Sequence, residues 1–456
     1  MDDFANKVQA AASLADALFV CWRYIADEKC LNQVFERSRG RCYSREVSFP
    51  LIVQLVHDAL TQHAGSGNQS FEHASQQGTL TASKRAVYGK LGRMPVEVTV
   101  DLFSTMADRL LALFPQENRK SLPACFTSFK VRTVDGKTIK GIAKRLKPLR
   151  NSQEGLIGGK ALVATDYQTG TAVGLAVDTD GDANDVRLLP RLLEDVRKRT
   201  QGKQLWVGDR QFCDLIQLGR FSENGDHYVV RYNAKNSFFR DENETVREGL
   251  DVNGRAYTDE CGWLGADSNK HQCYVRRITL ELDDGAELSI VTELFGVRKY
   301  PAADLLYLYG ERWEIERVFQ KVTEVFSLEN LIGSTPQAGL FQFAICLLLY
   351  NQLQLLRSYI AGHQDRETEM VSIEKLFIDV QRELVTWQVL LSGFDIETLV
   401  PIRNAGASQQ HLHELLRIRW NDFWIKSTNS KKRKPQKRKT KKRPKSVHKI
   451  LNAKTD

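Results

Sequence analysis

Tyr307 to Asn330 reads YLYGERWEIERVFQKVTEVFSLEN. Its apolar spacing predicts one long amphipathic helix, in which each residue turns about 100°. With Tyr309 as origin, Arg312 falls at about 300° and Glu316 at about 340°, so the three project from one face. Leu308, Ile315, Phe319, Val322 and Phe326 gather roughly 100° away and are expected to face a core. A tyrosine, a guanidinium and a carboxylate therefore stand together at the rim of a buried face. That set suits metal-assisted phosphodiester chemistry. The carboxylate can hold a hard cation, the arginine can grip a phosphate with two N–H groups, and the tyrosine can stack or hydrogen-bond. The simpler alternative is a surface helix on which Arg312 and Glu316 form an i,i+4 ion pair.

Two other stretches sharpen the choice. Arg132 to Ile139 reads RTVDGKTI, and Leu205 to Asp214 reads LWVGDRQFCD. In each, an apolar or β-branched run ends at an aspartate, Asp135 or Asp209. In open α/β sheets, ligands and catalytic groups collect at strand ends. Taken singly, such an aspartate is usually a turn or N-cap residue. Two strand-borne aspartates followed by a helix-borne glutamate make a candidate catalytic set. Arg210, next to Asp209, is a candidate phosphate contact or the ion-pair partner of a nearby acid.

In the order VDGKTI, VGDRQF and YGERWEIE, the chain resembles the insertion-sequence transposases with an Asp-Asp-Glu triad, and more narrowly their bacterial IS-four-type group. That group carries a signature of Tyr, two residues, Arg, three residues, Glu, six residues, Lys. Tyr309, Arg312 and Glu316 match its first three positions, but Thr323 stands where the lysine is expected. Lys321 lies at about 120° on the helix, away from the face, whereas Gln320 at about 20° is better aimed. The resemblance spans roughly Val131 to Gly333. It implies an α/β, RNase H-like catalytic core in which Asp135, Asp209 and Glu316 are the catalytic residues. They would bind two Mg²⁺ ions, with Mn²⁺ able to substitute. It also implies that Tyr309 and Arg312 contact DNA. The partners implied are double-stranded DNA, as terminal inverted repeats and as target, and a second copy in a homodimer on DNA. The activity implied is cut-and-paste transposition in the bacterial cytoplasm, at the nucleoid. Two alternatives stay open: an inactive or domesticated sequence-specific DNA-binding protein, and a Mg²⁺-dependent nuclease on the same fold.

Composition is compatible with these expectations. The 456 residues are 42% hydrophobic and 27% charged, as in a globular protein of several domains. The net charge of +9 is concentrated at one end. Lys426 to Asp456 holds 11 Lys, 3 Arg and 1 Asp, a net of +13, so the preceding 425 residues sum to −4. The eight cysteines form no CxxC pair, and Cys261, His271 and Cys273 lack zinc-ligand spacing. Reduced thiols are expected. Met1 is followed by two aspartates, unlike a secretory signal. Gln342, Asn351, Gln352 and Gln354 interrupt the apolar run from Leu340 to Leu356, so a buried helix is expected and no membrane partner.

Along the chain, residues 1–128 are expected to form a helical N-terminal DNA-binding domain. Two basic segments there are candidate phosphate contacts: Arg37 to Arg45 (RSRGRCYSR), and Ser83 to Arg93 (SKRAVYGKLGR), which includes Lys84 and Arg85. The alternative for both is a solvated basic face. Residues 129–333 give strand, strand, strand, helix, strand, helix, strand. In the resembled fold the first and fourth strands are adjacent, which would join Asp135 and Asp209. A β-rich insertion is expected over 233–300. Its Trp263 is read as the anchor of a small core or, alternatively, as a wedge against a flipped base. Residues 334–425 are expected to be helical and to contribute to a dimer. Residues 426–456, containing KKRKPQKRKTKKRPK, are expected to be disordered and attracted to polyanions.

Overall fold

The computed structural model describes residues 3–43, 46–141, 146–150, 155–268, 270–326, 328, 330–391, 393–426 and 444–453. Its centre is a sheet begun by the VDGKTI stretch. Strand β1 (Lys130–Lys140) pairs antiparallel with β2 (Leu156–Asp166), which pairs antiparallel with β3 (Ala172–Asp178). The β2–β3 turn closes at Gly170, whose φ of 66° suits glycine, and the Asp166 carboxylate accepts from the Thr169 N–H at 2.8 Å. Strand β4 (Gln204–Gly208) then lies parallel to the other side of β1, and β5 (His227–Arg231) lies parallel to β4. The resulting order, β3-β2-β1-β4-β5, is that of an RNase H-like core.

The insertion extends this sheet instead of standing apart from it. Its strands are β6 (Phe238–Arg240), β7 (Arg247–Leu250), β8 (Ala256–Leu264), β9 (Cys273–Glu281) and β10 (Glu287–Thr292). Strand β10 pairs antiparallel with β5, and β9 and β8 follow outward. A buried ion pair fixes the chain's return. Arg276 holds Asp259 through two N–H groups and donates to the carbonyls of Leu294 and Tyr300. With every guanidinium nitrogen bonded to an acceptor, Arg276 tolerates a dry site.

Helices cover both faces of the sheet. On one, α8 (Leu189–Arg199) and α9 (Leu215–Phe221) pack against Val134, Leu162, Trp206 and Val230. Helix α8 begins with Pro190 in its first turn, where a missing N–H costs nothing. On the other, Val131, Leu205, Val207 and Val229 meet the helix Ala302–Gly310. Because side chains alternate along a strand, Thr133, Asp135 and Asp209 share this second face.

The N-terminal region is helical over Asp3–Ala11, Ser13–Ile25, Glu28–Ser38, Phe49–Gln62, Gly67–Gln76, Lys84–Leu91 and Val96–Leu111. Ser48 and Ser83 cap the fourth and sixth of these. The helix Pro336–Gly362 runs through the middle of the molecule. It is long and apolar enough to cross a membrane by composition, but its apolar window is wholly buried in protein. Asn351 supports that placement by bonding both the N–H and the C=O of Ala172. A helix apolar on all sides needs neighbours on all sides. N-terminal helices, sheet and C-terminal helices (Ile373–Leu391 and Ala405–Leu416 among them) therefore share one apolar core across the expected boundaries at 128 and 333.

The basic tail needs a correction. Residues 427–443 and 454–456 lie outside the described residues, but the stretch between them is folded. Lys445–Ser446 form β11, parallel to the start of β2, and a short helix Val447–Asn452 follows. Val447 is fully buried, and Lys449 lies 2.7 Å from Asp182. Composition marked this segment as solvated, whereas a free strand edge and two acids give it a place.

Candidate active site

Register joins the first two acids. Val134 of β1 stands opposite Gly208 of β4 in a parallel pair. Asp135 is the next residue of β1 and Asp209 the first beyond the end of β4, and the alternation puts them on the same face. The Asp135 carboxylate accepts from the Gly136 N–H at 2.8 Å. Burial pushes its pKa up to about 6, and the charges of Asp209 and Glu316 add to the rise against the Gly136 N–H and Arg312. Burial is the main cause, and the two other acids are near enough to add a smaller push.

The third acid arrives differently from the single helix predicted. Tyr307 to Asn330 is broken in two, α10 (Ala302–Gly310) and α11 (Trp313–Glu324), with a turn at Glu311 and Arg312. Gly310 is a poor helix former. Beyond it the N–H groups of Arg312, Glu314 and Ile315 bond carbonyls three residues back, so the chain winds tighter there. The 100° phase does not carry through such a turn, yet the face survives. Arg312 is buried and reaches between two acids, with Nη1 3.5 Å from Asp135 and Nη2 3.2 Å from Glu316. Its guanidinium centre lies 5.8 Å from the Tyr309 ring and 5.2 Å from the Trp313 ring. Tyr309 is buried, which raises its phenol pKa.

The lower part of α11 matches the sequence phase. Lys321 points away and pairs with Glu374. Thr323 is half-buried and donates its hydroxyl to the Phe319 carbonyl at 2.7 Å. Gln320 is exposed and bonds Glu324 at 3.0 Å.

The remaining candidates divide. Arg210 is exposed just beyond Asp209. Lys84 and Arg85 sit on the N-terminal helix capped by Ser83, an element that carries none of the three acids, and Lys84 is tied to Asn68 and Glu72. The two basic segments meet in one cleft, lined by Arg39, Arg41 and Tyr43 from the first and Lys90 and Arg93 from the second. Arg37 and Arg39 are already paired, with Asp101 and Glu36, while Arg45 lies outside the described residues. Trp263 is 44% exposed, so it anchors no core; it stacks edge-on with Tyr274, which in turn meets Phe295.

Several neighbours of the acids escaped the sequence reading. Trp313 is 55% exposed beside Arg312. Its position directly after the arginine was the available signal. Lys137 lies two residues beyond Asp135 on the same face, 5.7 Å from the Phe319 ring. Asp185 packs against Gly136 from the opposite face of the sheet and pairs with Lys160 of β2 at 2.8 Å. Only the β1–β2 register brings these together, so no local pattern announces them.

The donor chemistry of Asp135, Asp209 and Glu316 fits a hard divalent cation, being all carboxylate oxygen with no sulfur or imidazole. As the side chains stand, no three His, Cys, Asp or Glu groups among the described residues are close enough to hold an ion. Arg312 lies between Asp135 and Glu316, so closure on a cation requires its guanidinium to yield.

No curated protein matches the sequence. Among solved structures, the chain is similar to one in a cryo-EM structure of a piggyBac transposase synaptic complex with hairpin DNA. The two are 10% identical with a TM-score of 0.43, over 91% of this chain and 88% of that one, and no argument rests on so distant a likeness. Residues 127–352 match the family described as transposase DDE domain, a span that contains β1, β4 and α11. Residues 127–352 are thus a transposase DDE domain.

Proposed function

We propose that the protein cleaves DNA at the ends of its own insertion sequence and joins them to target DNA, with Asp135, Asp209 and Glu316 as the catalytic acids. The observation that carries this reading is the β1–β4 register, which sets Asp135 beside Asp209, together with Arg312, which links Asp135 to the helix bearing Glu316. The three carboxylates would hold two Mg²⁺ ions, or Mn²⁺ in their place, and these supply Lewis acidity at the scissile phosphate.

The chain's own groups do the rest. Arg312 is placed to exchange its carboxylate partners for a phosphate, using two parallel N–H donors. Tyr309 stiffens Arg312 from one side. Trp313, exposed on the other, offers a stacking surface for a base near the cut. Arg210 and Lys137 are placed to meet flanking phosphates, and Lys137 is our candidate for the contact that the family lysine would make at position 323. The freed 3′-OH is itself the nucleophile for joining, so no Ser, Cys or Tyr side chain need form a covalent intermediate. The basic cleft of the N-terminal helices would bind the terminal inverted repeats, and two copies would pair the two ends.

The test is to incubate the protein and Mg²⁺ with a plasmid carrying its gene and flanking DNA, then map the broken and joined ends. Breaks at two matching inverted ends with joined products, absent with Asp209→Ala, are expected. Breaks without joining would mean a nuclease. Salt-sensitive binding to the flanks without breaks would favour a lapsed, DNA-binding copy, the reading to which Thr323 lends support.

A further inference from the structure

Beside the acids lies a cavity of about 430 Å³ that the reaction does not use. It is walled by α11, by the central helix Pro336–Gly362 and by the start of Ile373–Leu391, and Thr133 and Thr165 close it at the sheet. The central helix contributes Tyr350, Gln354 and Arg357, spaced along one stripe.

Arg357 is only 5% exposed. Its Nη1 donates to the Gln354 side chain, while Nε and Nη2 meet no acceptor among the described residues. Those two atoms form one edge of the guanidinium, the edge that grips two oxygens of a carboxylate or phosphate side by side. A buried donor left without an acceptor is costly, and two on one fork ask for one ligand. Lys426, exposed at the cavity's edge, brings a second cation to the same space. Most acids of the lining already hold a cation: Glu311 pairs with Lys120, Glu314 with Arg317 and Glu374 with Lys321, all at the cavity's own wall, and Asp166 pairs with Arg132 behind it. Glu369, half-exposed, and Glu314 act on both cations.

We propose that this cavity binds a small phosphate-bearing anion, gripped by the free edge of Arg357 and balanced by Lys426. Two cations suit a phosphomonoester, which carries nearly two negative charges near neutral pH. The volume lies in the range of small-ligand sites, and Val318, Ile373 and Tyr350 leave apolar wall for an organic group. The helix carrying Glu316 forms one wall, so an occupant braces it from behind.

The test is thermal unfolding and calorimetric titration of the full chain without divalent cation, at fixed ionic strength made up with chloride. The probes are inorganic phosphate, deoxyadenosine monophosphate and a short duplex. Phosphate or the nucleotide should raise Tm saturably. Affinity should fall by about tenfold or more in Arg357→Lys, which keeps charge but loses the fork, and in Lys426→Gln. If Arg357→Lys does not fold, Lys426→Gln decides alone. No shift beyond chloride, or an equal shift in Lys426→Gln, overturns the proposal. So does protection by the duplex alone that depends on these residues, because the cavity would then take a backbone phosphate of DNA.

Discussion

Gly136→Ala tests whether the sheet behind the acids is as tightly built as it looks. A Cβ at position 136 would overlap all three atoms of the Asp185 carboxyl group. Asp185 is 6% exposed and held by Lys160 at 2.8 Å, so it has no easy retreat. If the pair holds and the backbone shifts, overpacking costs about 1–3 kcal/mol. If Asp185 gives up Lys160, breaking a buried pair costs about 3–5 kcal/mol. The chain takes the cheaper route, so destabilisation of about 1–3 kcal/mol is expected. Because residue 136 follows Asp135 directly, the backbone route also displaces the first acid. A displacement approaching 1 Å can lower a rate about a hundredfold, so cleavage should slow by at least about tenfold. Urea unfolding, followed by circular dichroism, measures the first effect and an end-cleavage time course the second. A double-mutant cycle isolates the cause. Asp185→Ala alone leaves Lys160 unpaired, but combined with Gly136→Ala it removes the overlap. The pair should therefore cost less than the sum of the singles by about 1–3 kcal/mol. Strict additivity, or a Gly136→Ala protein as stable and active as the parent, would refute the reasoning.

Three further outcomes are expected. Asp135→Ala, Asp209→Ala and Glu316→Ala should each abolish cleavage while leaving end binding within about threefold in a gel-shift titration; cleavage that persists in any of them removes that residue from the catalytic set. Thr323→Lys should fold with a change of less than about 1 kcal/mol, since the position is half-buried and a lysine stem can reach solvent. It should tighten binding to DNA ends, and unchanged affinity would mean position 323 never meets a phosphate. Asp16, buried in the helix Ser13–Ile25, has its pKa raised to about 6 by burial, against the hydrogen bond from Gln9. The folded state thus binds a proton more tightly than the unfolded chain does. Stability falls as pH rises from about 4 to about 6 and stays lower above. Asp16→Asn should stabilise the protein at pH 8 by on the order of 2–3 kcal/mol and give no such gain at pH 4; an equal gain at both values would mean the charge is not the cause.

The sequence by itself carried the elements and the chemistry. Alternation and β-branched runs marked β1 through β5, because a half-buried strand imposes period two on its residues. Helix starts such as those at Ser83 and Pro190 are local chemistry, set by a cap or a preset φ. The acids were legible because Asp135 and Asp209 end such runs and Glu316 lies four residues after Arg312. Tertiary structure decided what depends on distant partners. It broke the helix at Glu311 and Arg312, joined the insertion to the main sheet through β10, and brought the two basic segments into one cleft. It drew the end of the tail onto β2 and set Asp185 against Gly136. It also buried Arg357 with one edge of its fork unmet, on a helix whose sequence is mostly apolar. Such contacts follow from strand register and shared burial across hundreds of residues, and no local window of sequence contains both sides of them.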